Sequence, residues 1–262
     1  MVMLANPAGR FTGRVESYRR FRPGYPAEIA GLLRRECGLE DGAVVADVAA
    51  GTGLSTEMLL RGGFSVIAVE PNAEMRAACV ELQREYPGLQ VTAGTAEETG
   101  LADESVELIT VAQAMHWFDL ERTRREFARI LRPEGWCAVL YNNRRPGGDA
   151  FHEAYEEFLR EFGSDYLKVK EQHVGRRRLA EFFAPAPMGT ATFENAQALD
   201  EEALEGRILS SSYIPREGDA RFEEMRAGVK RLFAEHQAGG AVTIRYDCVV
   251  CYGRLGGRAP RA

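Results

Sequence analysis

The run Val44-Val-Ala-Asp47-Val-Ala49-Ala-Gly51-Thr-Gly53-Leu-Ser-Thr56 sets an acid and two glycines into one turn, between a β-branched stretch and a helix-forming one. Glycines there let the backbone approach a ligand closely and take conformations that other residues resist. A second acid, Glu70, ends the next β-branched run, seventeen positions after Gly53. A carboxylate at that point can accept hydrogen bonds from both ribose hydroxyls of an adenosine-containing ligand. The chemistry is that of a nucleotide cradle, and it leaves two cofactors to separate.

A dinucleotide site carries G-x-G-x-x-G, with the pyrophosphate on the helix N-terminus. Here the third position is Thr56, and Asp47 sits near the mouth of the turn. An anion beside a pyrophosphate is repulsive; beside the ammonium of a methionine moiety it is attractive. The residues favour S-adenosylmethionine over NAD.

Further along, His116-Trp117-Phe118 follows an apolar run. His116 is the candidate general base, because histidine titrates near neutrality. Trp117 and Phe118 are candidate walls of a reaction pocket, and Tyr213, with Ser210 to Ser212, is a candidate contact from the C-terminal region. Arg176-Arg-Arg178 could attract an acidic substrate or form a solvated helix face. Cys248 and Cys251 form a C-x-x-C pair inside a β-branched, aromatic segment. Residues three apart on a strand face opposite sides, so structural cysteines are expected and no metal site.

The elements that position these residues alternate between short β-rich runs and helical segments, which reads as a parallel sheet with helices on both faces. Helices are expected over 26–37, 54–61, 72–85, 119–131, 150–162, 173–183, from 200, and over 222–236. Strands are expected over 44–49, 65–70, 89–93, 106–111, 136–141 and 188–193, with a last one from 242 to 252. Residues 142–149 read as a turn-rich junction and 256–262 as a loose tail. A net charge of −6 over 262 residues argues against a nucleic-acid surface, since phosphate binding leans on Lys and Arg. No apolar run reaches the roughly 20 residues that span a bilayer, and residues 1–14 lack a signal-peptide pattern. A cytoplasmic protein acting on a small molecule is expected.

Several blocks in register resemble the class I S-adenosylmethionine-dependent methyltransferases, specifically the methyltransferase type 11 group that includes trans-aconitate methyltransferase-like proteins. They are Tyr18-Arg-Arg-Phe-Arg22-Pro-Gly-Tyr25-Pro26, Asp47 to Gly53, Val69-Glu70-Pro71-Asn-Ala-Glu-Met75, Gly94-Thr95-Ala96-Glu97, Gln113-Ala114-Met-His116-Trp-Phe-Asp119 and Arg129-Ile-Leu-Arg-Pro-Glu-Gly135. The resemblance covers roughly residues 14 to 143. It implies that Asp47 and the backbone from Ala49 to Gly51 face the methionine end of the cofactor. It puts Glu70 on the ribose, Pro71 and Met75 near the adenine, and Thr95, Ala96 and Glu97 at the adenine edge. Gln113 and Ala114 would lie under the sulfonium, and Tyr18, Arg22 and Tyr25 would close over the cofactor, Arg22 facing a carboxylate. Ala49 departs from the family's glycine, and alanine is expected to keep φ negative there. Thr95 replaces an acid that contacts the adenine amino group.

The expected fold is therefore α/β and Rossmann-like, with a seven-stranded, mostly parallel sheet whose last strand is antiparallel. One methyltransferase domain would span 1–262: a cofactor core over 14–143, a substrate-side helical insertion with the sixth strand over 144–214, and a final helix and strand over 215–262. The expected activity is methyl transfer to a small acceptor, a carboxylate metabolite by the resemblance, with S-adenosylhomocysteine as product. The rival readings are an NAD-dependent oxidoreductase and a cofactor-binding protein without catalysis.

Overall fold

The computed structural model describes residues 13–145, 147–167 and 175–255; the expected tail at 256–262 and most of the N-terminal stretch lie outside them. Its centre is one seven-stranded sheet in the order β3-β2-β1-β4-β5-β7-β6. The strands are β1 Val44–Val48, β2 Ser65–Val69, β3 Gln90–Thr92, β4 Val106–Ala112, β5 Leu131–Arg144, β6 Met188–Leu199 and β7 Val242–Gly253. Strands β1 to β5 pair in parallel, whereas β7 runs antiparallel to both β5 and β6. The central strands β1 and β4 are rich in buried apolar residues, because helices cover both faces of a parallel sheet, with Asp47 and Thr110 as buried polar exceptions.

The described helices are α1 Val15–Phe21, α2 Glu28–Cys37, α3 Leu54–Arg61, α4 Ala73–Val80, α5 Leu120–Ile130, α6 Ala150–Phe162, α7 Arg176–Phe183, α8 Glu201–Leu209 and α9 Phe222–His236. Short polar side chains start four of them. Asn72, Asp119, Asp149 and Asp200 each accept a hydrogen bond from a backbone N–H of the first turn, which satisfies a donor that the helix leaves orphaned. One apolar cluster packs α2 and α3 on one face of the sheet, and a second packs α5 and α7 on the other. A third joins α6, α8 and α9 to the start of β7.

Some boundaries differ from expectation. The segment after Asn72 is α-helical only to Val80 and continues as a 3₁₀ turn over Glu81–Arg84. Strand β5 begins at Leu131, before the Pro133 to Gly135 break, and its register with β4 shifts between Val106 and Leu108. It then runs on to Arg144, through the expected junction, because β7 pairs with it as far as Tyr246. β6 likewise extends to Leu199 by pairing along the whole of β7. The helix expected from residue 173 is described from Arg176 onward. All five cysteines are free and buried, and Cys248 and Cys251 belong to the two apolar clusters on opposite faces of the sheet. Among the described residues, no helix is long and apolar enough to cross a membrane, and no group of three or more His, Cys, Asp or Glu could hold a metal ion.

Strand order reverses between β1 and β4. Ligands in open α/β sheets bind at such a switch point, beyond the carboxyl ends of the strands.

Candidate active site

Two adjoining cavities open at that point. The smaller, about 270 Å³, collects Tyr18, Ala49, Gly51, Glu70, Pro71, Met75, Thr95, Ala96, Glu97, Gln113 and Ala114, together with Trp117 and Phe118. The chain thus brings together every residue expected around the cofactor except Arg22, Tyr25, Asp47 and Gly53. The larger, about 740 Å³, takes Arg22 and Tyr25 into its wall, with His116, Trp117 and Tyr213. Tyr18, Gln113 and Trp117 border both.

The turn after β1 is built by hydrogen bonds from both sides. Gly53 donates to the Ala50 carbonyl at 3.0 Å, and Ala50 donates to the Val69 carbonyl at 3.2 Å. The Glu70 carboxylate accepts from Gly51 N and from Asn72 N, both at 2.8 Å. Burial raises the Glu70 pKa, against those two backbone donors. Gly51 and Gly53 both have positive φ, 60° and 93°. A Cβ on Gly53 would also lie 2.6 Å from Leu82 and 3.1 Å from Cys79, so this glycine lets α3 start against α4.

Ala49 corrects the expectation of negative φ: it sits at φ 58°, in the left-handed region. The turn keeps the geometry that a glycine would adopt, and alanine bears the strain, about 1–2 kcal/mol for an L-residue. Gln113, at the end of β4, has the same φ of 58°. It is pinned by N–H donation to the Leu140 carbonyl at 2.9 Å and by Nε2 donation to the Asn142 carbonyl at 3.1 Å. Two strained residues thus face one cavity, as happens where the surroundings over-determine a ligand-facing backbone.

Asp47 stands elsewhere than expected. It has no exposed surface, and three hydroxyls take up its oxygens: Ser55 and Thr56 donate to Oδ2 at 2.8 and 2.6 Å, and Thr110 to Oδ1 at 2.8 Å. Burial raises its pKa, opposed by those three hydrogen bonds. The carboxylate braces the turn from beneath and does not line the cavity. Thr56, read from the sequence only as a missing glycine, supplies one of the braces.

Thr95, Ala96 and Glu97, expected at the adenine edge, form a compact loop. Thr95 and Glu98 exchange backbone hydrogen bonds, and the Glu97 carboxylate accepts from Asp119 N at 2.9 Å, tying this loop to the start of α5. His116 lies in a 3₁₀ turn, Met115–Trp117, with its ring 4.5 Å from that of Trp117.

The N-terminal segment roofs both cavities. Arg14 Nη2 donates to the Ile214 carbonyl at 2.6 Å, and the Gly24 carbonyl accepts from Asn142 and Asn195 at 3.1 and 2.9 Å. Arg22 is turned toward the end of α8: its Nε donates to Ser210 Oγ at 2.9 Å and its guanidinium lies over the Tyr18 ring. That is why it lines the larger cavity. Arg176 to Arg178 occupy the exposed first turn of α7, as a solvated face would.

Sequence reasoning passed over Arg144, Tyr155 and Arg207, which line the larger cavity. Tyr155 repeats at helical spacing with Phe151, Phe158 and Leu159 and so reads as core. Arg207 carried a signal: it falls between Leu204 and Ile208 on the apolar side of α8.

Residues 46–139 match the family described as methyltransferase domain. The chain is 40% identical over 229 residues to an uncharacterized methyltransferase of Mycobacterium tuberculosis strain H37Rv, covering 87% of each chain. It is 27% identical over 130 residues to a probable S-adenosylmethionine-dependent methyltransferase of Saccharomyces cerevisiae, covering 47% of this chain and 44% of the other. The fold is similar to that of a protein of Anaeromyxobacter dehalogenans described as a type II methyltransferase, with a TM-score of 0.64 at 21% identity over 90% of this chain and 98% of the other. With the cradle at the switch point and these relatives together, the chain belongs to the class I S-adenosylmethionine-dependent methyltransferases.

Proposed function

We propose that the smaller cavity holds S-adenosylmethionine and that the larger one presents a small-molecule acceptor to its methyl group. The shared wall of Tyr18, Gln113 and Trp117 carries this reading, because it joins the recess that gathers the cradle residues to a separate, larger one. Glu70 serves the ribose: each oxygen takes one backbone N–H and keeps acceptor capacity for a hydroxyl. Pro71, Met75 and Ala96 give apolar surface for the adenine, and Gln113 and Ala114 border the methionine end. Asp47 acts through the turn it braces.

The cofactor, when bound, supplies a methyl already activated on a sulfonium, so the chain's task is to align the acceptor and keep water out. His116 would take the proton of a hydroxyl or amine acceptor. A carboxylate acceptor, as in trans-aconitate methyltransferase-like proteins, needs no base. His116→Ala separates the two, since it slows only a protonated nucleophile. Calorimetry with S-adenosylmethionine, S-adenosylhomocysteine and NAD tests the cradle; NAD binding without a response to either sulfur compound would overturn it. Transfer of labelled methyl into a metabolite extract then identifies the acceptor.

A further inference from the structure

Arg207 is a cation in an apolar position. Leu204 and Ile208 beside it on α8 are fully buried, and Arg207 itself is 3% exposed. Its hydrogen bonds are two long ones to neutral hydroxyls, Tyr246 OH and Ser211 Oγ, each at 3.4 Å. Among the described residues no carboxylate lies within ion-pair distance of it. Arg22 adds a second cation nearby, bonded to Ser210 and Ser211 and likewise without a carboxylate partner there. Arg144 completes the group from β5. It donates to Tyr166 OH at 2.8 Å and lies 3.5 Å from Glu156, but Glu156 also faces the exposed Arg160.

A second, independent feature points into the same space. The Tyr155 hydroxyl is buried and has no hydrogen-bond partner, while the Arg144 guanidinium lies 5.3 Å from its ring centroid. Tyr213 stands among the same arginines. Burial would raise its pKa, but Arg144, Arg22 and Arg207 outweigh that and hold the phenol below its ordinary 10. Buried charges are normally paired, and buried donors normally bonded. This end of the larger cavity holds an excess of positive charge and an unsatisfied donor.

We propose that Arg207 and Tyr155, with Arg22 and Arg144 around them, form a seat for a carboxylate carried by the methyl acceptor, and so select acidic acceptors. A carboxylate offers two oxygens to the Arg207 fork and an acceptor to the Tyr155 hydroxyl. Both residues line the larger cavity and neither lines the cradle, which assigns the anion to the acceptor and not to the cofactor. Tyr155 and Arg207 come from α6 and α8 and Arg144 from β5, while Arg22 follows α1 and lies over the ring of Tyr18, which borders both cavities. The proposal rests on the methyl-transfer reading above.

The test is calorimetric titration of the protein, saturated with S-adenosylhomocysteine, with benzoate, trans-cinnamate and succinate, each beside its amide, and with inorganic phosphate. At least one acid should bind, with its amide about ten-fold weaker or worse. Arg207→Met should cost that acid about ten-fold while leaving S-adenosylhomocysteine binding unchanged, and Tyr155→Phe should cost about three-fold or more. Equal binding of acid and amide, no acid bound, phosphate preferred over every acid, or loss of S-adenosylhomocysteine binding in Arg207→Met would each overturn the seat. A thermal melt shows whether Arg207→Met folds; the acid–amide comparison in the unmodified protein does not depend on it. Failure of the unmodified protein to bind S-adenosylhomocysteine would count against the methyl-transfer reading instead, and the acid–amide comparison would still be read on the protein alone.

Discussion

Glu70 Oε2 accepts the backbone N–H of Gly51 at 2.8 Å, so the acid ending the second strand holds the turn that follows the first. One carboxylate thereby fixes the cradle and faces into it. Glu70→Gln keeps a carbonyl for Gly51 but loses the charge and one acceptor. S-adenosylhomocysteine affinity should fall about ten-fold or more, the worth of a charged hydrogen bond, and melting temperature should fall by several degrees, because the amide nitrogen cannot accept the Asn72 N–H. Calorimetry and a thermal melt read the two effects separately.

Asp47 is buried beneath the same turn and binds three hydroxyls. Asp47→Ala strands those hydroxyls on Ser55, Thr56 and Thr110, all nearly or fully buried. Each stranded polar group costs about 1–3 kcal/mol, so urea unfolding should show a loss of several kcal/mol. The loss of cofactor affinity should follow from loosening of the turn. A variant with full stability and reduced affinity would instead mean that Asp47 touches the ligand.

Gly206 lets α1 and α8 meet, since a Cβ there would overlap the Phe21 ring. Gly206→Ala should displace α1 at a cost of about 1–3 kcal/mol. Tyr18 and Arg22 move with α1, so acceptor turnover should drop as well. Adding Phe21→Ala should restore part of the activity, and a double-mutant cycle measures the coupling.

Glu126 ties α5 to the loop that carries Thr95, Ala96 and Glu97. It accepts from Thr99 N at 2.8 Å and from Arg129 Nε at 2.8 Å. Burial acts to raise its pKa, but the hydrogen bonds from Arg129 and Thr99 together bring it down from 4.5 to about 2. Its folded value lies below the unfolded one, so its contribution to stability is complete above the ordinary 4.5 and is lost as pH falls toward about 2. Melting temperature should decline across that window, and Glu126→Gln should flatten the decline while lowering stability at neutral pH.

The sequence by itself determined the alternation of strands and helices, the helix starts at Asn72, Asp119 and Asp200, and most of the cradle. Those features are local: a turn needs its glycines, a helix start needs its side-chain acceptor, and a cofactor loop keeps its spacing along the chain. Tertiary structure decided the rest. Ala49 could take a positive φ only because hydrogen bonds from neighbouring strands hold its turn. Asp47 is expected at the methionine end, but whether it faces a ligand depends on Thr110, 63 residues further along the chain, which donates to it from the adjoining strand β4. Arg22 follows α1, Arg144 belongs to β5 and Arg207 to α8, and no spacing along the chain says that they share one cavity. Charge accumulates there through packing between elements far apart in sequence, and only their assembly shows which cations lack a partner.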